Sequence, residues 1–389
     1  MQRYLYGIVF VFLLSSCINE QEKLKKEVVE NYAEIVYANY EDVVDDAKKL
    51  QSAIHDFLEN PSEALFEKAK QAWIDARPSY SQTEAYRFYN GPIDDENGWE
   101  GLINAWPLDE NFIDYVIDEN SGKPIYGGVV NKPEDFPEIT AELLLQENEV
   151  HGEADVKVGY HAIEFLLWGQ DLYTDGPGRR PYTDYLTGPQ ATAPNGERRK
   201  QYLRVVTDLL VEHLMQVRDA WAPGSPYRSQ FVAPENTSTS LTNILSGLGK
   251  LSKGELAGER MTVALENKDQ EDEHSCFSDN THEDIIYNQI GIYNVYKGIY
   301  KRVDGTEIKG PGLHDLVVLK DQNLANSIDQ QFARTLEAAR AIPPPFDQAI
   351  IHHADKVQAT IRELRKQSDE IQNIGVAIGL QLVIPETND

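Results

Sequence analysis

Between Tyr32 and Leu58 the apolar residues Tyr32, Ile35, Val36, Tyr40, Val43, Ala47, Leu50, Ile54, Phe57 and Leu58 recur mostly at intervals of three and four. That spacing places them on one face of an α-helix, because 3.6 residues complete a turn, whereas a strand alternates its faces every second residue. A helix with one long apolar face needs other helices to cover it. The same stripe returns in Tyr202, Val205, Val206, Leu209, Leu210, His213, Leu214 and Val217, and helical patterning continues over 285–300, 313–319, 323–342 and 346–382. No segment alternates with β-branched residues, so little sheet is expected and the fold class is all-α.

Breakers set the expected boundaries. Asn60 reads as an N-cap, with Pro61 at the first helical position and Glu63 three beyond the cap. The second helix is expected to run through Trp73, kink near Pro78 and reach Arg87 and Phe88. From Asn90 to Asp118 turn residues and acids surround Trp99 and Trp106, which reads as an ordered loop. A helix over 238–267 carries Gly247, Gly249, Gly254 and Gly258, a sign of tight packing or breaks. The Gly, Pro, Thr and Tyr content of 171–200 reads as a linker. The chain has 389 residues, enough for two cores. The expected division is an N-terminal helical bundle at 26–170, the linker loop at 171–200 and a C-terminal helical bundle at 201–389.

The first residues address the chain rather than fold it. Arg3, the apolar run Tyr6 to Leu14 and the lipobox Leu14-Ser15-Ser16-Cys17 read as a lipoprotein signal peptide at 1–16, with lipidation at Cys17 and a tether at 17–25. An apolar run of about nine residues is too short to span a bilayer. The expected location is the bacterial cell envelope, periplasm or outer membrane, exported and held to the membrane through its N-terminal lipid anchor. The other cysteine, Cys276, then has no partner for an intramolecular disulfide and reads as a small buried filler. With 64 acidic residues against 36 Lys and Arg, the net charge of −28 excludes nucleic acid as a partner.

The chemistry centres on Gly159-Tyr160-His161-Ala162-Ile163-Glu164, which leads into the apolar run Phe165 to Gly169. Residues three apart on a helix share a face, so the His161 imidazole and the Glu164 carboxylate can point at one centre. Those donors suit zinc or iron. A carboxylate in apolar surroundings also demands a cation, a metal or a proton. Two donors are too few, and the second dense patch, Asp269 to Asp284, offers Glu271 and His274, then Asp279 and His282, each pair three apart. His213, His352 and His353 lie on ordinary amphipathic helices and read as structural.

Gly159-x-His161-x-x-Glu164 matches the signature of imelysin-like proteins, a family that includes insulin-cleaving and iron-regulated bacterial envelope proteins. Arg77-x-x-Tyr80, Thr83 to Phe88, Gly91 to Asp94, Asn104 to Asp109 and Glu273 to Asp279 resemble the same group, so the likeness runs from about Lys26 onward. The resemblance implies two helical bundles related by a pseudo-duplication, with a functional cleft between them, and an envelope protein tied to iron supply. Carried over, His161 and Glu164 take the metal-ligand roles. Glu84, Arg87, Asp94, Asp109, Glu273, His274, Ser275 and Asp279 become candidates to line the cleft, with Glu84, Asp94, Asp109, Glu273, His274 and Asp279 as further metal donors.

The expected function is binding of a divalent or trivalent metal ion, iron first and zinc as the alternative, in uptake or homeostasis. The second reading is a zinc metallopeptidase. Hydrolysis needs a base near the metal-bound water, and in the common zinc helix a Glu follows the first His directly. Here Ala162 stands there, so a base would come from Glu84 or Glu273, and Arg87 or His274 would serve the oxyanion. A third reading sets His161-x-x-Glu164 and Glu271-x-x-His274 on facing helices as a di-iron site, although only one pair has the Glu-x-x-His order.

Overall fold

The computed structural model describes residues 2–118 and 120–385, with side chains from residue 20 on. The lipobox and Cys17 thus lie outside the described side chains. Helix α1 spans Gln2–Glu59, and residues 20–25, expected as a tether, continue it. Its seam consists of Val36, Tyr40, Val43, Ala47, Leu50, Ile54 and Phe57, spaced alternately four and three, and every one is fully buried. Helix α2, Glu63–Thr83, packs back along α1. Its N-cap is Ser62 rather than Asn60, because the first helical hydrogen bond runs from the Phe66 amide to the Ser62 carbonyl, 2.9 Å. The helix continues through Pro78 and tightens into a 3₁₀ turn at Glu84–Tyr86.

Short elements then cover this pair: α3 (Trp99–Ile103), α4 (Gly128–Asn131), α5 (Ala141–Glu147), α6 (Tyr160–Trp168) and the ribbon β1 (Val116–Ile117) with β2 (Pro124–Ile125), antiparallel. The loop over 171–200 is pinned by charge. Asp114, fully buried, accepts from Arg180 at 2.8 Å and from Arg199 at 2.6 and 2.9 Å, while Tyr185 donates to the Leu166 carbonyl at 2.6 Å. Helix α7 (Gly196–Ala220) follows and packs along α1 and against α3 and α6. Expected with the C-terminal bundle, α7 therefore shares its contacts with the helices before the loop.

The second half holds α8 (Pro226–Phe231), α9 (Thr237–Lys250), α10 (Val263–Asn267), α11 (Thr281–Lys297), α12 (Leu313–Lys320), α13 (Gln322–Arg340), α14 (Phe346–His352) and α15 (Ala354–Ala377). Between α9 and α10 the chain stays helical as a π-segment, Leu251–Thr262, where the glycines suggested breaks. The ribbon β3 (Ile299–Lys301) and β4 (Glu307–Lys309) completes the small sheet content. Helices α9, α11, α13, α15 and the π-segment pack on one another, and α11 joins them to α2. That crossing needs Gly291, since a Cβ there would stand 2.3 Å from the Gln82 carbonyl oxygen. No helix among the described residues is long and apolar enough to cross a membrane.

Candidate metal centre

The signature helix α6 is buried along its whole length. Gly159 opens it at φ +91°, a region closed to residues with a Cβ, and a Cβ there would also stand 2.6 Å from the Ile103 carbonyl oxygen. The Trp73 indole donates to the Tyr160 carbonyl at 3.0 Å, and the Tyr160 ring packs on Tyr80 at 4.8 Å. The helix start is thereby fixed between α2 and the end of α3.

His161 and Glu164 face each other rather than a common empty centre. The His161 Nδ1 lies 2.8 Å from Glu164 Oε2, and Glu164 Oε1 accepts from the Ser278 amide at 3.0 Å and its hydroxyl at 2.6 Å. Nε2 of His161 is buried without a hydrogen-bond partner. Glu164 thus clamps the imidazole through its Nδ1 and is itself held by Ser278. Burial pushes the Glu164 carboxyl up to about 8, against the Ser278 hydroxyl and Arg77. Burial, then Arg77, drives the His161 imidazole well below its ordinary value, so it is neutral at pH 7.

A second histidine stands edge-on to the first, with ring centroids 4.7 Å apart. His274 is held the same way: its Nδ1 lies 2.8 Å from Asp284 Oδ2, while Asn104 Nδ2 lies 3.2 Å from its Nε2. Burial and then Arg260 push its imidazole down to about 3. Asp284 accepts from both Arg77 nitrogens at 3.3 Å, from Ser81 at 3.0 Å and from the Ser275 hydroxyl. Burial opposes its charge, but Arg77 and then His274 hold its carboxyl well below the usual range. Arg77 completes the circuit by donating to Asn104 Oδ1 at 2.8 Å.

Asn104 leads to a third group through its amide, 3.3 Å from Glu84 Oε1. Glu84 accepts from Arg87 at 3.0 Å and Arg260 at 2.7 Å. Burial would raise it, but Arg87 and then Arg260 hold it at about 2. A cavity of about 240 Å³ bordered by Arg87, Glu100, Glu149, Glu153, Glu255 and Arg260 reaches Asn104 and His274. Trp106, half-buried, sets its ring edge against His274 at 5.9 Å.

Of the expected residues, His161, Glu164, His274, Ser275, Glu84 and Arg87 come together in this network, and Asp94 reaches its rim 3.8 Å from Arg87. Asp109 does not join it: its carboxylate caps its own turn, accepting from the Asn111 amide at 2.9 Å. Burial, and then Asp347 for Glu273 and Asp171 for Asp279, raises the carboxyls of these two. Cys276 is buried and free, as a filler would be. His213 is buried against Trp99, and His352 and His353 are exposed. The sequence reading missed Asn104, Arg260, Ser278 and Asp284 as site residues. Among the described residues no three His, Cys, Asp or Glu side chains stand ready as a closed ligand shell. For a metal ion the fit is therefore partial: one buried imidazole nitrogen is open, and a second, on His274, is engaged only by an amide.

A sequence model of the imelysin family, labelled peptidase M75, matches residues 36–371. Iron-regulated protein A of Synechococcus elongatus is 27% identical over 359 residues, covering 89% of this chain and 83% of the relative. Among solved structures, a candidate iron-regulated protein A precursor from Parabacteroides distasonis aligns with a TM-score of 0.71 at 17% identity, over 92% of this chain and 95% of that one. An imelysin-like protein from Psychrobacter arcticum aligns at 0.66 and 13%, over 93% and 98%. These two share the fold, and the match over residues 36–371 places the chain in the imelysin family.

Proposed function

We propose that this protein binds a metal ion, iron, in the bacterial envelope, with His161 Nε2 as the anchoring donor and His274 as the second. The observation that carries the reading is a neutral, buried imidazole whose outer nitrogen has no partner while its inner nitrogen is clamped by a carboxyl group. Histidine backed by a carboxyl group is the usual way a protein presents an imidazole to a metal, and the backing group fixes the ring. Asp284 backs His274 in the same sense. Bound there, the ion would supply Lewis acidity and, if iron, a redox couple. The chain's part is to hold both rings neutral, keep bulk water out and present them from two segments, α6 and the stretch before α11. The reading places those segments in two related bundles with the cleft at their junction.

Iron is favoured because the Synechococcus relative is named an iron-regulated protein. Export rests on the lipobox and on the Parabacteroides relative, which is a precursor. The family's peptidase label earns a weaker reading: Ala162 fills the usual position of the base, Glu84 is locked between two guanidiniums, and burial raises the Glu273 carboxyl. The test is metal content and affinity of the chain from residue 18, for iron and zinc, with peptide cleavage assayed in the same samples. His161→Ala is expected to abolish tight binding, and Glu164→Gln to weaken it by about 10- to 100-fold. Undiminished affinity in His161→Ala would overturn the assignment.

A further inference from the structure

At the end of α6 away from His161 the chain encloses a second cavity, of about 200 Å³, between the helix terminus, β1 and the start of the 171–200 loop. Trp168, Gly169 and Arg180 form its buried side, and Tyr115 and Tyr173 its aromatic walls, while Leu172 and Arg179 are exposed at its mouth. Arg180 is 5% exposed. Its Nη1 donates to Asp114 at 2.8 Å and to Asp184 at 3.4 Å, but its Nε is buried with no hydrogen-bond partner among the described residues. The space beside that nitrogen is kept clear by Gly169, where φ is +72° and a Cβ would stand 3.5 Å from Nε. A second guanidinium, that of Arg179, lies over the Tyr173 ring at 3.9 Å and pairs with Asp175.

A guanidinium N–H left unpaired in the interior is costly, and an oxygen that enters the cavity removes the cost. We propose that this cavity binds a small aromatic carboxylate, its carboxylate on Arg180 Nε with Arg179 at the mouth, and its ring between Tyr115, Trp168 and Tyr173. Charge selects the anion. In a chain of net charge −28 this cavity is lined by two arginines and, among the described residues, by no Asp or Glu. The Nη1 of Arg180 is spent on Asp114 and Asp184, which leaves the Nε edge, the side-on face of a guanidinium that matches a carboxylate. The carbonyls at the end of α6 would repel an anion, but they are capped: Leu166 accepts from the Tyr185 hydroxyl at 2.6 Å and Trp168 from the Arg180 amide at 2.8 Å. Asp175 is exposed, so it holds Arg179 weakly and releases it to a ligand. Volume selects the ring, since a cavity of about 150 Å³ already holds a benzene ring.

The site lies apart from the histidine centre and does not depend on metal binding there. The chain from residue 18, freed of metal by chelation so that no carboxylate is held through an ion, is titrated with sodium benzoate and followed by saturation-transfer NMR. Benzyl alcohol and sodium acetate serve as comparison probes, and the melting temperature of every variant is read in parallel. Wild type is expected to bind benzoate with a Kd of about 10⁻³ M or tighter, the range open to so small a ligand. The alcohol lacks the charge and acetate lacks the ring, so each is expected to bind about tenfold more weakly or worse. Arg180→Lys keeps a charge for Asp114 but has no Nε–H, and is expected to weaken benzoate binding by about tenfold or more. Should that buried change unfold the chain, Arg179→Ala and Tyr173→Ala touch only the mouth and the outer wall, and each is expected to weaken benzoate about threefold or more. No binding of benzoate by wild type, equal binding of benzyl alcohol or of acetate, or an affinity indifferent to the folded variants would overturn the site.

Discussion

The histidine centre and the buried acids Asp171, Glu273 and Asp347 treat charge in opposite ways. Around His161 and His274 each anion has a cation: Asp284 has Arg77, and Glu84 has Arg87 and Arg260. Glu273 buries both carboxylate oxygens without a hydrogen-bond partner, and Asp171 and Asp347 bury one each in the same way. A network in which every anion has a guanidinium can hold two imidazoles rigidly in the absence of any ligand. A buried carboxyl group with no partner depends on what the solution supplies, protons or cations. The difference separates a preorganised centre from a responsive one.

Breaking the ion-paired side should have the largest effect. Arg77→Met leaves Asp284 buried with no guanidinium and is expected to cost about 3–5 kcal/mol in urea unfolding. A loss below about 1 kcal/mol would mean that Asp284 is not charged in the fold, and the contrast between the two regions would fail.

A smaller effect should appear with pH. Burial raises the carboxyls of Glu164 to about 8, of Asp279 to about 7 and of Asp171 to about 6. The half-buried Glu100 and the buried Glu110 rise to about 7. Groups raised in the fold bind more protons folded than unfolded, so their contribution is complete below the ordinary carboxylate range and is lost as pH climbs through the raised values. The guanidinium-paired Glu84 and Asp114, held at about 2, have the reverse sign and lose their contribution only as pH falls below the ordinary carboxylate range. In chelator the melting temperature is expected to drop between pH 5 and pH 8. A flat profile would show that the buried acids are not responsive.

The smallest effect belongs to Asp109→Asn. Its side chain only caps its own turn, and asparagine caps equally well, so stability should shift by less than about 0.5 kcal/mol and metal affinity not at all. A large loss of metal would bring Asp109 back to the centre.

Much of this was legible in the chain. The α1 seam is written in its spacing, and so is the break at Asn60-Pro61-Ser62, misplaced by two residues because Ser62 rather than Asn60 starts the ladder. The buried charges also leave a trace. Trp73, Arg77, Tyr80 and Glu84 follow the spacing of a core stripe, as do Thr281, Asp284, Asn288, Gly291 and Val295. Polar residues on such a stripe announce an interior network, and Arg77 and Asp284 could have been assigned on that ground. Arg260 could not, since the π-segment that carries it departs from the 3.6-residue period. Neither could the burial of Asp171 and Asp347, which local patterning does not encode. The direction of Glu164 was equally hidden: spacing put it on the face of His161 but not on its ring.

Gly159 contributes no atom to either ring, yet it works as a ruler. It lets the backbone of α6 lie against the Ile103 carbonyl, and the next residue along that strand of chain is Asn104, the latch on His274. The first letter of the signature therefore sets the gap between one imidazole and the amide that holds the other. Any side chain at 159 would wedge that gap open, so the position least involved in chemistry is among the least free to vary.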